Sequence, residues 1–545
     1  APSYGHFGGR DFNEYREDIY VGYRYYETFA QDKVLYPFGF GLSYTTFRVE
    51  SAAETWQTSW DLRIQVTNTG SRPGRQVVQV YVEAPQGKLG KAARVLADYW
   101  KTPELAPGQS AEVSLWIDLK SLASFDDSGV TGHPYAYVLE AGTYRLYVGT
   151  DVRSASLAGR LFLEEQTLTA QLESQCSPTQ DFPRLHPREE GGRLIPGFEP
   201  VPRAESRRKD QVLEHLPEPI PFTGDLGISF RDVCKGTNGL DDFIAQLTPE
   251  ELNALCKGEG PMDSPLGTKG NAGMLGGTTQ SLRDKGVPTL TTTDGPSGIR
   301  VCYYTALLPC GTALASSWDV EAVEALGHLF GQEMVRKGSD ILLGPGLNIH
   351  RDPLCGRNFE YYSEDPLLSG TVAAAMVRGI QSVPGRSACV KHFACNNQEE
   401  NRNRNDSRLS QRALREIYLR SFEICLRDAA PLCLMTSYNQ INGIWGHYQY
   451  ELVTGILRRE WGYDGLVMTD WWMQPSADPD FPALWNDAYR LRAQVDVLMP
   501  GSNAFEDPTM DFSALESLKK ETGLTLGEMQ RSAKNVLKLC ARLKG

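Results

Sequence analysis

The chain has 545 residues, enough for two or three domains, and its 41% hydrophobic and 23% charged residues are typical of a soluble globular protein. A net charge of −13 would repel both nucleic acid and an anionic membrane, so the sequence argues against either as a partner. No apolar run approaches the ~20 residues of a membrane span, and the N-terminus lacks the basic-then-apolar pattern of a signal peptide.

Short segments between residues 46 and 165 alternate apolar and polar residues, with glycine, proline or asparagine between them. The residues expected to share a face in two of these segments are Leu62, Ile64 and Val66, and Tyr144, Leu146 and Val148. Alternation in period two is the pattern of a half-buried strand, and several such strands in succession predict a β-sandwich.

Residues 166–230 are rich in proline and charge and show little periodicity. A stretch of this kind predicts a linker laid along a surface, because a long segment without elements is uncommon inside one compact domain.

From residue 231 to 545, short apolar runs alternate with stretches of helical periodicity, such as residues 318–338. The apolar runs read VPTLTTTDG, DILLGPGLNI, ACVKHFACN, LCLMTSYN, GLVMTDWW and VDVLMPG. Such alternation predicts parallel strands with crossover helices, and the number of units favours a (β/α)8-like barrel.

Most of these runs end in polar, charged or aromatic residues. The candidate site residues, in chain order, are Asp294, Arg300, Arg357, Lys391, His392, Arg402, Met435, Tyr438, Asp470 and Trp471. A barrel builds its active site at the carboxyl ends of its strands, so these side chains are expected in one pocket. Cations, carboxylates and aromatic rings together suit a hydroxyl-rich ligand, since charged side chains form charge-assisted hydrogen bonds with sugar hydroxyls.

Each of these residues also has an ordinary structural explanation. Asp470 could cap a helix, Arg357 could pair at the surface, and Tyr438 could pack in the core. Lys391 and His392 are neighbours in one predicted strand and should point to opposite faces, so one of them is expected to be structural.

Five motifs in the barrel region, DGPSGIR, GRNFEYYSEDP, KHFACNNQE, MTSYNQING and VMTDWW, resemble those of glycoside hydrolase family 3, the β-glucosidase group. LYPFGFGLSYTTF and LEAGTYRLYVGT resemble the signatures of that family's fibronectin-III-like domain. The resemblance implies that Asp470 is the catalytic nucleophile and that Asp294 grips the hydroxyls of the terminal sugar. It also implies sugar-binding or pocket-wall positions for Arg300, Arg357, Lys391, His392, Arg402, Met435, Tyr438 and Trp471. Neither a metal nor another cofactor is expected.

The domain order departs from the usual family pattern, because the fibronectin-III-like sandwich precedes the barrel. Residues 1–45 resemble only the closing segment of the family's α/β sandwich domain, which supplies the acid/base glutamate. The sequence therefore predicts that the acid/base is not in this chain and comes from an N-terminal fragment. The alternative is that Glu399 or Glu360 has taken over this role.

The resulting hypothesis is a retaining exo-β-glycosidase, a β-glucosidase acting on β-linked glucosides or oligosaccharides. A β-xylosidase or other β-glycosidase remains open, as does a non-catalytic carbohydrate-binding subunit. The family's N-acetylglucosaminidases are disfavoured, since KHFACNNQEENR lacks their Gly-rich loop. The cysteines number eleven, and several lie inside apolar runs, which predicts free thiols and a cytoplasmic location. A homo-oligomer is compatible with the sequence.

Overall fold

The computed structural model describes residues 1–259, 262–501 and 513–545. Its N-terminal segment contains strand β1 (Phe12–Glu14), helix α1 (Tyr23–Phe29) and a 3₁₀ turn (Gln31–Lys33). β1 pairs in parallel with a strand at Asp406–Arg408 in the C-terminal half of the chain. Tyr15, Ile19 and Tyr20 are buried in the same core as residues of the C-terminal half, so this segment is anchored to that half rather than free.

A β-sandwich follows the N-terminal segment. Its elements and their small accessory sheet are β2 (Phe47–Trp56), β3 (Ser59–Asn68), β4 (Val77–Glu83), β5 (Val95–Lys101), β6 (Ser110–Asp118), a 3₁₀ turn (Leu119–Leu122), β7 (Ser124–Asp126), β8 (Ala136–Leu139), β9 (Gly142–Gly149), β10 (Ser156–Leu163) and β11 (Thr167–Gln171). One sheet has the order β2-β3-β6, the second β10-β9-β4-β5, and the accessory sheet β11-β8-β7. The two expected faces are confirmed, since Leu62, Ile64, Val66, Tyr144, Leu146 and Val148 are all buried in one core.

The segment predicted as a linker, 166–230, carries regular structure. Strands β12 (Pro183–Glu190) and β13 (Arg193–Pro200) form an antiparallel hairpin, and helix α2 (Arg208–Glu214) follows. The hairpin pairs Pro183 with Pro200 and Pro187 with Pro196. Edge strands tolerate proline where the missing N–H would point outward, so prolines that suggest a linker in the sequence are compatible with this two-stranded sheet.

The rest of the chain forms the largest unit. Its elements are α3 (Phe230–Cys234), α4 (Leu240–Ala245), α5 (Pro249–Leu255), β14 (Gly273–Gly276), α6 (Gln280–Asp284), β15 (Thr289–Thr293), α7 (Gly311–Ser316), α8 (Val320–Lys337), β16 (Ile341–Leu342), α9 (Pro366–Gln381), β17 (Ser387–Phe393), β18 (Asp406–Arg408), α10 (Gln411–Ala413), a π-helical turn (Leu414–Tyr418), α11 (Arg420–Ala429), β19 (Cys433–Thr436), β20 (Gln440–Ile441), β21 (Ile444–Trp445), a π-helix (Glu451–Glu460), β22 (Leu466–Trp471), α12 (Asp487–Arg492), β23 (Val497–Met499), α13 (Ser513–Ser517) and α14 (Leu526–Lys544).

The main sheet of this unit has the strand order β14-β15-β16-β17-β19-β22-β23. From β15 onward the strands are parallel, and β14 runs antiparallel to β15. Lys257 bridges to Leu498 beside β23, and Glu259 bridges to Met274 in β14, so the sheet is a nearly closed barrel. All six apolar runs identified in the sequence contribute strands to it, whereas the antiparallel β14 departs from the expected all-parallel arrangement.

Helix α8 illustrates how local sequence sets the element boundaries. Asp319 accepts a hydrogen bond from the backbone N–H of Ala322 at 3.0 Å and caps the N-terminus, and Gly338 ends the helix in the left-handed conformation with φ of 70°. The helix packs against α9, which in turn contacts β17 of the barrel. In the described part of the chain no helix combines the length and apolar character needed to cross a membrane.

Candidate active site

A cavity of about 220 Å³ lies at the carboxyl ends of the barrel strands. All ten candidate residues of the sequence line it, namely Asp294, Arg300, Arg357, Lys391, His392, Arg402, Met435, Tyr438, Asp470 and Trp471. The lining contains four further residues that were not among the candidates, namely Met262, Ala272, Leu343 and Trp472. Of these, only Trp472 left a signal, as the second indole of the WW pair.

The strand ends bring these side chains together. Asp470 and Trp471 close β22, Met435 lies in β19, and Asp294 directly follows β15. The three arginines of the site lie on loops that follow strand ends. The carboxyl ends of parallel strands meet at one edge of the barrel, so residues far apart in sequence share one pocket.

Lys391 and His392 both line this pocket, contrary to the expectation that one of them is structural. The pairing of β17 with β19 shifts register between Val390 and Phe393. Strict alternation of side chains holds only for a regular strand, and this irregularity allows two consecutive residues to face the same cavity.

Asp294 lies between two cations. Its Oδ1 is 3.1 Å from Nζ of Lys391, and its Oδ2 is 3.0 Å from Nη2 of Arg300. Burial alone would raise the pKa of Asp294, but Lys391, Arg300 and the backbone N–H of Gly295 outweigh burial and lower the pKa to about 2. The carboxylate is therefore ionised at neutral pH and can accept hydrogen bonds from ligand hydroxyls.

Asp470 is only 7% exposed, and burial raises its pKa from the ordinary value. Lys391 and Arg357 oppose this effect, as do the backbone N–H of Trp471, at 2.7 Å from Oδ1, and the side chain of Tyr438. Nε2 of His392 lies 3.5 Å from Oδ2 of Asp470. The cations favour the ionised form of Asp470, but burial is the larger effect.

Two tryptophans have different environments at this site. Trp471 is 5% exposed, and its indole N–H donates to the carbonyl of Ala272 at 2.9 Å, which fixes it as a wall. Trp472 is 60% exposed and forms part of the pocket mouth. Elsewhere in the lining, the guanidinium of Arg402 lies 4.3 Å from the ring centroid of Tyr438. Aromatic faces of this kind are suited to contact with apolar ligand faces.

The two glutamates considered as alternative acids are held in ion pairs. Glu360 pairs with Arg357, and Oε2 of Glu399 lies 2.7 Å from Nη1 of Arg402. Among the described lining residues the carboxylates are Asp294 and Asp470, and neither glutamate is there. Burial raises the pKa of Glu399, against the opposing charges of Arg402 and Arg357.

The described residues contain no group of three histidine, cysteine, aspartate or glutamate side chains that could hold a metal ion. All eleven cysteines, each within the described ranges, are free thiols, and eight of them are buried. The absence of a cofactor remains a prediction.

Comparisons with known proteins agree with the sequence motifs. Residues 268–539 match the family model described as the glycosyl hydrolase family 3 N terminal domain, and residues 76–152 match a fibronectin type III-like domain. The second match lies inside the sandwich, and the first covers most of the barrel.

The chain is 44% identical to a "Beta-glucosidase" of Ruminococcus albus over 98% of its own length and 56% of that relative. It is 41% identical to "Beta-glucosidase A" of Butyrivibrio fibrisolvens over 85% of its length and 59% of that relative. The crystal structure of a β-glucosidase from Paenibacillus barengoltzii superposes with a TM-score of 0.92 at 45% identity, covering 99% of this chain and 60% of that one. The chain thus spans less than two thirds of the length of these relatives.

Proposed function

The chain belongs to glycosyl hydrolase family 3, and we propose that it carries the sugar-binding pocket and the nucleophile of a retaining exo-β-glycosidase, specifically a β-glucosidase. The observation that carries this proposal is the position of Asp470. It lies in a polar pocket with Lys391 and Arg357 close enough to act on its pKa. A carboxylate so placed can attack an anomeric carbon, whereas a site that only binds a sugar needs no nucleophile.

The proposed reaction follows the double-displacement scheme of retaining glycosidases. Asp470 attacks the anomeric carbon and forms a glycosyl ester, while the bond to the leaving oxygen breaks and that oxygen takes a proton from the general acid. Asp294, ionised between two cations, accepts hydrogen bonds from the hydroxyls of the terminal sugar. The remaining cations of the pocket donate to other hydroxyls, and Trp471 forms a wall. Water then releases the sugar with its configuration retained.

The small size of the cavity supports an exo mode of action. A volume of about 220 Å³ suits one terminal sugar, and we propose that the exposed ring of Trp472 contacts the leaving group. The names of the two curated relatives, both β-glucosidases, favour glucose as the sugar that is released. A β-xylosidase is the alternative that a substrate panel tests.

We propose that the acid/base glutamate is supplied from outside this chain, on a fragment that carries the α/β sandwich domain. The acid must be protonated at working pH, but the pKa of Asp294 is about 2, so it cannot serve. Glu360 and Glu399 lie outside the described pocket lining and are paired with arginines. The relatives are longer chains that each match nearly all of this one within a single polypeptide, so they do not support a separate fragment.

The finer architectural predictions remain proposals. They are a closing segment of an α/β sandwich at 1–45, a fibronectin-III-like domain at 46–165, a connecting segment at 166–230 and a (β/α)8-like barrel at 231–545. Buried free thiols support a reducing, cytoplasmic location. A homo-oligomer is a further proposal that mass measurement in solution can test.

The test is hydrolysis of aryl β-glycosides by wild type and Asp470→Asn, with anomeric products followed by NMR. We expect β-glucosides to be preferred over β-xylosides, β-glucose to form first, and Asp470→Asn to lose several orders of magnitude in rate. Asp464→Asn, an exposed aspartate six residues earlier, is the matched control and should keep full activity. Release of the α-anomer first, or more than about a tenth of the rate in Asp470→Asn, would refute the assignment.

A further inference from the structure

The imidazole of His392 is 1% exposed, and its two nitrogens face different groups. Nδ1 lies 3.2 Å from the hydroxyl of Tyr361 and 3.3 Å from Oδ1 of Asn348, and Nε2 faces Asp470. Burial and the surrounding cations hold the pKa of His392 well below its usual 6.5. The ring is therefore neutral and carries one proton, and its position decides whether Asp470 faces an N–H or a lone pair.

The orientation of the Asn396 side chain determines where the hydroxyl proton of Tyr361 points. Nδ2 of Asn396 lies 3.0 Å from the Tyr361 hydroxyl and 3.1 Å from Oε1 of Glu399. Glu399 is ion-paired with Arg402 and, as a carboxylate, only accepts hydrogen bonds, so the amide nitrogen must be the atom that faces it. Nδ2 therefore also donates to Tyr361, and the tyrosine's own proton is left to point at Nδ1 of His392.

Asn348 holds the backbone of His392 rather than its ring. Nδ2 of Asn348 donates to the carbonyl of His392 at 2.9 Å, and Oδ1 accepts the backbone N–H of His392 at 2.9 Å. A proton on Nδ1 of His392 could also be donated to Oδ1 of Asn348, but this proton would then face the buried hydroxyl proton of Tyr361. In that tautomer Nε2 would carry a lone pair, and this lone pair would face the carboxylate of Asp470. Buried polar groups left without partners are costly, which disfavours this tautomer.

We infer that Tyr361 is a positioning residue that holds His392 in the neutral tautomer presenting Nε2–H to Asp470. This inference deepens the proposed function and rests on it. Donated hydrogens run from Asn396 to Tyr361, from Tyr361 to His392, and from His392 toward the nucleophile. The separation of 3.5 Å between Nε2 and Oδ2 is long for a hydrogen bond, and catalytic contacts of this kind often shorten when substrate binds.

The consequence concerns the charge state of the nucleophile. The groups that act on Asp470 are Lys391, Arg357, Tyr438 and the backbone N–H of Trp471, and burial opposes them. A further N–H from His392 favours the ionised, attacking form. Without the hydroxyl of Tyr361, Nδ1 can take the proton instead and turn a lone pair toward Asp470. The nucleophile should then be protonated at higher pH.

The experiment measures covalent labelling of Asp470 by a 2-fluoro-β-glucoside with a dinitrophenolate leaving group, which needs no general acid. The labelling rate constant is recorded from acid to alkaline pH by intact mass, in wild type and Tyr361→Phe, and peptide mapping locates the label. For Tyr361→Phe we expect the acid limb of the profile to move up by about one pH unit, and labelling on that limb to slow about tenfold. Tyr362→Phe, at the neighbouring buried tyrosine outside the pocket lining, should leave the profile unchanged.

The outcomes separate this inference from the function on which it rests. If wild type is labelled at Asp470 and Tyr361→Phe shows the same acid limb, the positioning role is wrong and the proposed function stands. If wild type is not labelled there, both fail. Should Tyr361→Phe not fold, as judged by its melting curve, the tautomer is read in wild type from ¹⁵N-histidine NMR, with His392→Gln for assignment. A proton on Nδ1 in that spectrum would overturn the inference.

Discussion

Replacing Asp294 by asparagine should weaken the fold by an amount that follows from its two ion pairs. The pKa of Asp294 is about 2 against an ordinary 3.8, and one pKa unit corresponds to about 1.4 kcal/mol, so the ionised carboxylate contributes about 2.5 kcal/mol. Its side chain is 27% exposed, that of Lys391 is 5% exposed and that of Arg300 is 65% exposed. Most of this contribution therefore belongs to the pair with Lys391, because solvent screens an exposed arginine.

The pH dependence of this contribution has a defined direction. Because the pKa is lower in the folded chain, the stabilisation is complete above the ordinary pKa of 3.8 and is lost as the pH falls toward about 2. At pH 7 we expect Asp294→Asn to lose about 2 kcal/mol in urea unfolding followed by tryptophan fluorescence. The difference from wild type should halve near pH 3, about midway between the two pKa values.

A matched control separates stability from activity. Asp319 also pairs with two cations, Arg75 and Lys101, at 3.0 and 3.3 Å, but it caps α8 away from the pocket. Asp319→Asn should lose stability and keep glucosidase activity, whereas Asp294→Asn should lose both, because hydroxyl contacts tighten in the transition state. An Asp294→Asn variant as stable as wild type at pH 7, or one whose deficit persists unchanged at pH 3, would refute the reasoning.

Three further predictions concern the pocket mouth, the missing acid and acid stability. Trp472→Ala should raise KM for aryl glucosides severalfold and leave methyl glucoside hydrolysis nearly unchanged, because its exposed ring is proposed to contact the leaving group. The half-exposed Trp485, outside the pocket lining, is the control position, and equal effects of Trp472→Ala on both substrates would contradict this role. In steady-state assays, Glu399→Gln and Glu360→Gln should not slow the hydrolysis of cellobiose more than that of dinitrophenyl glucoside. A loss of about 10²-fold or more in the rate for cellobiose alone would identify an in-chain acid. Burial lowers the pKa of His447 to about 3, so stability should fall as the pH drops below about 6.5, by about 2.7 kcal/mol at pH 4.5. His447→Gln should flatten this slope in urea titrations, and an unchanged slope would show that His447 does not carry it.

The sequence was sufficient for features that depend on local pattern. Period-two alternation correctly placed Leu62, Ile64 and Val66 on the buried face of the sandwich, because side chains alternate along any regular strand. The apolar runs became strands of one sheet, and the residues at their ends line one cavity. That prediction needed no distances, because parallel strands joined by crossover helices always direct their carboxyl ends to the same edge.

Other features depended on contacts between distant segments. The prolines within residues 183–200 suggested a linker. These residues form strands only because the two halves of the hairpin pair with each other. The antiparallel direction of β14 was equally hidden, because a strand's own sequence does not specify its neighbours' directions. The register shift in β17, which turns both Lys391 and His392 into the pocket, arises only when β19 lies alongside it.

The chemistry of the site shows the same division between sequence and tertiary structure. Residue types alone identified Asp294 and Asp470 as the acidic members of the pocket, but not their opposite pKa shifts. The pKa of Asp294 is lowered because two cations lie within 3.1 Å of its carboxylate. The pKa of Asp470 is raised because burial outweighs the cations near it. Tyr361 lies within the motif GRNFEYYSEDP, but nothing in that motif indicated that its hydroxyl contacts the imidazole of His392. A pKa and a tautomer depend on distance and desolvation, and these are set only when the chain has folded.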